Sequence, residues 1–163
     1  MSPLVLFDFE EKSNIQDWMI INDGVMGGLS KGELTLTHDG YGQFKGIISL
    51  ENFGGFSSMR LQFNQINIEK YSAIRLRIKG DGKQYQFRLK SNLDEYQSYI
   101  QYFETSGKWE IIELNLNDFY PSFRGRKLSM ANYPGKFLEE VSFLIGNKKA
   151  EEFNLLIDKI ELK

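Results

Sequence analysis

The sequence predicts an all-β protein built as a sandwich or a barrel, and three observations predict it. Apolar residues recur with period two, as in "AIRLRIKG" and "YQFRLK". The alternating runs are short, evenly spaced and separated by Gly, Asn and Asp. No segment sustains a 3.6-residue apolar period, so any helix is a short turn.

Taken in order, strands are expected near 4–9, 33–37, 43–50, 58–63, 97–104, 109–114, 138–146 and 153–162. Between them, Ile74, Leu76 and Ile78 alternate with Arg75, Arg77 and Lys79. Beyond a Gly-Asp-Gly turn, Tyr85, Phe87 and Leu89 alternate with Gln86, Arg88 and Lys90. Two such runs across a tight turn predict an antiparallel hairpin. Its outward row of Arg75, Arg77, Gln84, Gln86, Arg88 and Lys90 would then make one basic sheet face, read as solvated surface or as a polar groove for a polymer or protein. Pro3, Pro121 and Pro134 fall outside these runs, as the missing N–H requires. Residues 118–136 are expected to be the longest irregular segment.

The chain has 163 residues, a length typical of one domain with an adequate core. Its 20 basic and 22 acidic residues leave a net charge of −2, without the basic excess that phosphate neutralisation demands of a nucleic-acid binder. No cysteine is present, which removes disulfides, thiolate metal sites and a cysteine nucleophile. The start "MSPLVLFDFEE" has no basic region ahead of an apolar core, and no run reaches a membrane-spanning length. A cytoplasmic protein with no membrane span is expected.

Four features invite a functional reading. "NDGVMGGLS", residues 22–30, is glycine-rich but leads into the strand-like "ELTLT" and lacks both phosphate-loop spacings. His38, in "THDGYG", is the single histidine, so no multi-histidine metal site can form. "ENFGGFSSMR", residues 51–60, repeats the pairing of an acid with Gly-Gly and an apolar side chain. The two loops are read either as packed together, with Met26 and Phe56 plugging one end, or as one rim carrying Asp23, Glu51, Asn52 and Arg60. Asp23 alone is read as a turn residue that bonds nearby backbone, or with Glu51 as a carboxylate pair. Asp158, inside an apolar strand, is read as an ion-pair or bulge residue, or as a calcium ligand. Last, Arg124 and Arg126 flank Gly125, and their planar forks suit a carboxylate or phosphate on a partner.

In order along the chain, "INDGVMGGLSKGEL", "FKGIISLENFGGFSSMR", "LNLNDFYPSFRGRKL" and "FNLLIDKIEL" resemble the complex I intermediate-associated protein 30 family, from Phe9 to Leu162. The resemblance implies a galactose-binding-domain-like jelly-roll β-sandwich of two antiparallel sheets. It also implies a non-enzymatic, chaperone-like assembly factor that binds protein, with a respiratory-complex subunit as the candidate partner and no cofactor. The family pattern falls on Asp23, Met26, Gly27, Gly28, Glu51, Asn52, Phe56, Arg60, Arg124 and Arg126, none of which carries an imported catalytic role. Phe53 stands where the family commonly has a second Asn, and Glu151 and Glu152 where it favours Gly-Pro. The same fold houses carbohydrate-binding modules, so sugar is the alternative ligand. Trp18, Tyr41, Tyr99, Tyr102 and Trp109 are the ring candidates, with core packing as the competing fate.

Overall fold

The computed structural model describes residues 2–10 and 14–163, with the side chains of Val25, Met26 and Phe53 outside the described residues. Along the chain the strands are β1 (Leu4–Asp8), β2 (Trp18–Asn22), β3 (Lys31–Leu36), β4 (Gly42–Ile48), β5 (Ser57–Asn67), β6 (Ala73–Lys79) and β7 (Gln84–Lys90). They continue with β8 (Ser98–Glu104), β9 (Trp109–Asn115), β10 (Tyr120–Phe123), β11 (Arg126–Lys127), β12 (Phe137–Ile145) and β13 (Glu151–Leu162). Among the described residues these form two antiparallel sheets, and the helical pieces are single 3-10 turns. The first sheet runs β3-β4-β13-β6-β9, with β1 also on β13, and the second runs β11-β10-β8-β7-β12-β5-β2.

Period-two patterning explains the layers. Most strands have one apolar row, and two sheets bury these rows against each other. From the first sheet come Phe44, Ile74, Leu76, Ile78, Leu155 and Ile157, and from the second Met59, Tyr85, Phe87, Leu89, Val141 and Phe143, all essentially solvent-free. Aromatic edges interlock the layer, as in Phe87 against Phe143 at 4.9 Å between centroids.

The expected hairpin does not form. β6 pairs with β13 and β9, while β7 pairs with β12 and β8, so the chain crosses from one sheet to the other at residues 80–83. The physical reason is that both runs carry a complete apolar row, and facing the rows across the core buries both. Asp81 builds the corner: Oδ1 accepts from the Lys83 amide at 3.3 Å and the Tyr85 hydroxyl at 2.9 Å, and Oδ2 accepts the Asn154 amide at 2.8 Å. The single basic face is therefore corrected too. Arg75 and Arg77 belong to the first sheet and are paired there with Glu161 (2.9 Å) and Asp158 (3.0 Å), whereas Arg88 and Lys90 belong to the second.

Three local expectations also change. β2 has no counterpart among the expected strands. The segment 118–136 contains β10 and β11, and Pro121 lies inside β10 with its side chain buried. A four-residue strand next to a sheet edge tolerates one missing donor. Asp158 sits where the register of β13 shifts against β6, so it occupies a bulge and binds the Arg77 guanidinium across it.

Candidate functional site

The two glycine-bearing connections meet. Residues 23–26 make a 3-10 turn closed by Gly27 in the left-handed region at φ 87°. Asp23, 2% exposed, extends its carboxylate into the second connection. Oδ1 accepts from the Ser30 amide at 3.0 Å, and Oδ2 accepts from the amides of Gly55 at 2.6 Å and Phe56 at 3.3 Å. The Ser30 hydroxyl completes the tie by donating to Ser49 O at 3.2 Å and accepting the Ser49 amide at 2.9 Å.

Two glycines exist to admit this carboxylate. A Cβ on Gly28 would lie 2.4 Å from Asp23 Cγ, and one on Gly54 would lie 2.5 Å from Asp23 Oδ2. Burial pushes the Asp23 carboxyl up, but the bonds from Ser30, Gly55 and Phe56 outweigh it and hold the group below its ordinary value. Every oxygen is thus engaged in holding backbone. Glu51 and Asn52 are exposed on the adjoining turn, with Asn52 at φ 55°, and Phe56 is half-buried beside them. The Met26 side chain, and with it the expected Met26–Phe56 plug, lies outside the described residues.

Arg60, Arg124 and Arg126 are elsewhere. Arg60 stands on β5, on the outer face of the second sheet, and Arg124 and Arg126 sit on the exposed turn joining β10 to β11. The structure relates these three through the outer face of the second sheet. Register across five strands reads Arg60, Ser142, Arg88, Ile100, Tyr120 in one row. The row beside it reads Ser58, Leu144, Gln86, Tyr102, and the row on the other side reads Gln62, Glu140, Lys90. At the β10–β11 end a cavity of about 390 Å³ is lined by Gln86, Arg88, Ile100, Tyr102, Tyr120, Ser122, Gly125 and Lys127.

This face is recessed although its side chains are polar. Ser142 is 2% exposed, Glu140 4% and Gln86 7%. Arg88 donates to Gln86 Oε1 at 2.9 Å, and Gln86 Nε2 donates to the Tyr102 hydroxyl at 3.2 Å. Glu140 Oε1 accepts from Gln62 at 2.9 Å, and Lys90 Nζ donates to Glu95 O at 2.6 Å. Arginine ion pairs among the described residues are confined to Arg75 and Arg77, so neither Arg60 nor Arg88 has a carboxylate within 4.0 Å. Burial first and Arg60 second push the Arg88 guanidinium down to about 10, with Glu140 opposing them. It remains a cation at neutral pH. Burial and the neighbouring Tyr102 raise the Tyr120 hydroxyl, which stays a neutral donor.

A larger, open depression of about 790 Å³ lies over Lys31, Lys45, Asp81, Lys83 and Asn154. Several of its charges already have partners: Lys45 meets Glu33 at 3.9 Å, Lys83 meets Asp81 at 3.5 Å, and Asp81 holds the corner. It carries no tyrosine or tryptophan ring, whereas the smaller recess is lined by two tyrosines, so the smaller recess is the better site.

The ring candidates separate cleanly. Trp18 and Tyr99 are core residues, each 6% exposed. Tyr41 and Trp109 pack against each other tilted by 47° at 4.5 Å between centroids, with Arg77 over Trp109. Tyr102 is 43% exposed and lines the recess together with Tyr120. Tyr120 escaped the sequence reading because its segment looked irregular. Its signal was the adjacent Pro121, which hid a strand.

The fold and its polar, recessed sheet face define a β-sandwich of the jelly-roll kind seen in carbohydrate-binding modules. It is similar to the family 11 carbohydrate-binding module of the cellulosomal cellulase Lic26A-Cel5E of Clostridium thermocellum, with TM-score 0.72, 16% identity, 99% of this chain and 94% of that one covered. A family 11 carbohydrate-binding module from Clostridium thermocellum in complex with a beta-1,3-1,4-mixed-linked tetrasaccharide gives TM-score 0.69 at 15% identity, covering 98% of this chain and 94% of that one. The agarase AgWH50C gives TM-score 0.65 at 14% identity, covering all (100%) of this chain but 24% of that one. Identities this low show the shared fold alone. The family model for complex I intermediate-associated protein 30 matches residues 7–157, and the chain belongs to that family.

Proposed function

We propose that this chain works by binding, not by turnover, and that the outer face of the second sheet receives a saccharide. The observation that carries this reading is the pair Tyr102 and Tyr120 lining one cavity whose other walls are the Gln86 amide, the Ser122 hydroxyl and the Arg88 guanidinium. Tyrosine rings offer a flat apolar surface for a pyranose, while amide, hydroxyl and guanidinium groups meet its hydroxyls. A cavity of about 390 Å³ falls in the range of small-molecule sites. The similar carbohydrate-binding modules, one of them in complex with a tetrasaccharide, support the same reading. A non-enzymatic role agrees with Asp23, whose carboxylate is spent on backbone amides and not poised against Glu51. A glycan array tests the proposal: binding that Tyr102→Ala weakens is expected, and an array with no signal above background would end it.

A second reading follows from family membership. In it the tied loops dock a protein, with a respiratory-complex assembly intermediate as the candidate. The observation favouring it is apolar exposure at that end: Leu29 is 50% and Leu50 46% exposed, flanking the Ser30–Ser49 bonds. Affinity capture with wild type and with a Leu29→Asp, Leu50→Asp double variant separates the two readings. Loss of a captured protein in that variant, with saccharide binding intact, assigns the loops to protein.

A further inference from the structure

We infer that the recess on the second sheet is built for an acidic saccharide, one whose sugar units carry carboxylates. The inference rests on the saccharide reading and adds the charge of its ligand. Arg60 and Arg88 stand on either side of Ser142 in one cross-strand row, which puts their backbones about 10 Å apart. Arg88 lines the cavity, and Arg60 stands two strands away from it, beyond the buried Ser142. Neither has a carboxylate partner among the described residues, although Arg75 and Arg77 on the opposite sheet both do. Two cations side by side on a recessed face repel each other, and only partial relief comes from Glu140, whose Oε1 is already bonded to Gln62.

The surroundings extend the same sign. Lys90 adjoins Arg88 on β7, and Lys127 lines the cavity with its ammonium 5.2 Å from the Tyr120 ring centroid. Gly125 also lines it, and the exposed Arg124 and Arg126 flank that glycine. Against these cations the face sets Glu140, Glu95, whose charge acts on Lys90, and, at its far end, Glu104, which accepts from Gln84 at 3.0 Å. A chain of net charge −2 therefore concentrates positive charge on one face. Arginine forks bind carboxylates bidentately, which fits a uronate group held at the cavity by Arg88 and Lys127, with Arg60 adding its charge from two strands away and the sugar ring lying toward Tyr102 and Tyr120.

Calorimetric titration of the full chain with trigalacturonate tests the inference, compared with its fully methyl-esterified form, which keeps the rings and loses the charge, and with hexaglutamate. The free acid is expected to bind about 10- to 100-fold tighter than the ester, as loss of charged hydrogen bonds implies, and to weaken with added salt. Arg60→Gln and Lys127→Gln are expected to erase that difference while thermal unfolding shows both variants folded. Equal binding of acid and ester would overturn the charge inference and leave the saccharide reading standing. Binding of hexaglutamate alone would overturn both, and binding of none of the three probes would overturn the charge inference, with the glycan array deciding the saccharide reading.

Discussion

Asp23 Oδ2 accepts the Gly55 amide at 2.6 Å, across 32 residues of sequence. That bond, with those to Ser30 and Phe56, makes one unit of two connections that leave different strands. Asp23→Ala should cost roughly 2–4 kcal/mol, because it strands buried amides as well as deleting the bonds. Asp23→Asn should cost less, about 1–2 kcal/mol, since one amide oxygen can still accept. Urea denaturation of both variants measures the order, and equal stability of Asp23→Ala and wild type would refute the tie.

The same carboxylate makes stability pH-dependent. Its folded pKa lies below the ordinary 3.8, so folding favours the ionised form. The contribution is complete above that ordinary value and disappears as pH falls through the folded pKa. Acid titration of the unfolding free energy should show wild type losing stability below about pH 4 more steeply than Asp23→Asn.

Gly46 faces Gly32 on the paired strands β4 and β3, and a Cβ there would sit 1.9 Å from Lys31 O. The obstacle is backbone, which cannot swing aside. Gly46→Ala should therefore destabilise by about 3 kcal/mol. Lys45→Ala, an exposed neighbour, is the control and should stay within about 0.5 kcal/mol. Thermal melts of the pair decide it.

Asp81 accepts the Tyr85 hydroxyl at 2.9 Å, and Tyr85 is fully buried. Asp81→Ala leaves that hydroxyl and the Asn154 amide unpartnered, at roughly 2–3 kcal/mol. In combination with Tyr85→Phe the losses should fall short of additive, because one hydrogen bond is counted in both. A double-mutant cycle by chemical denaturation reads the coupling.

Arg60→Gln should stabilise the unliganded chain by up to about 1 kcal/mol, since it removes one of two neighbouring cations. Its melting temperature should rise while affinity for trigalacturonate drops. A variant that loses both stability and affinity would mark Arg60 as structural.

Most of the strand framework was legible from alternation, because burial of one face imposes period two on each strand. β8, β9, β12 and β13 lie at nearly their expected positions, whereas β5 runs four residues past its expected end. β2 was missed because "WMIIN" runs apolar without alternating. The hairpin was misassigned because a Gly-Asp-Gly turn serves a hairpin and a sheet-to-sheet corner equally well. Arg60, Arg124 and Arg126 were legible as candidates by residue type and loop position. Their shared face was not, since strands distant in sequence bring them together, as the register of β5 on β12 and of β8 on β10 does.

By itself the sequence determined the all-strand character, the apolar row of most strands and the family signature loops, because these depend on local alternation and on residue types at fixed spacing. Tertiary structure alone decided which sheet each strand joined, what Asp23 holds, and that Arg60 and Arg88 stand in one row without an ion pair among the described residues. Those facts are long-range: they are set by how two layers bury their apolar rows against each other, and no local stretch of chain encodes that choice.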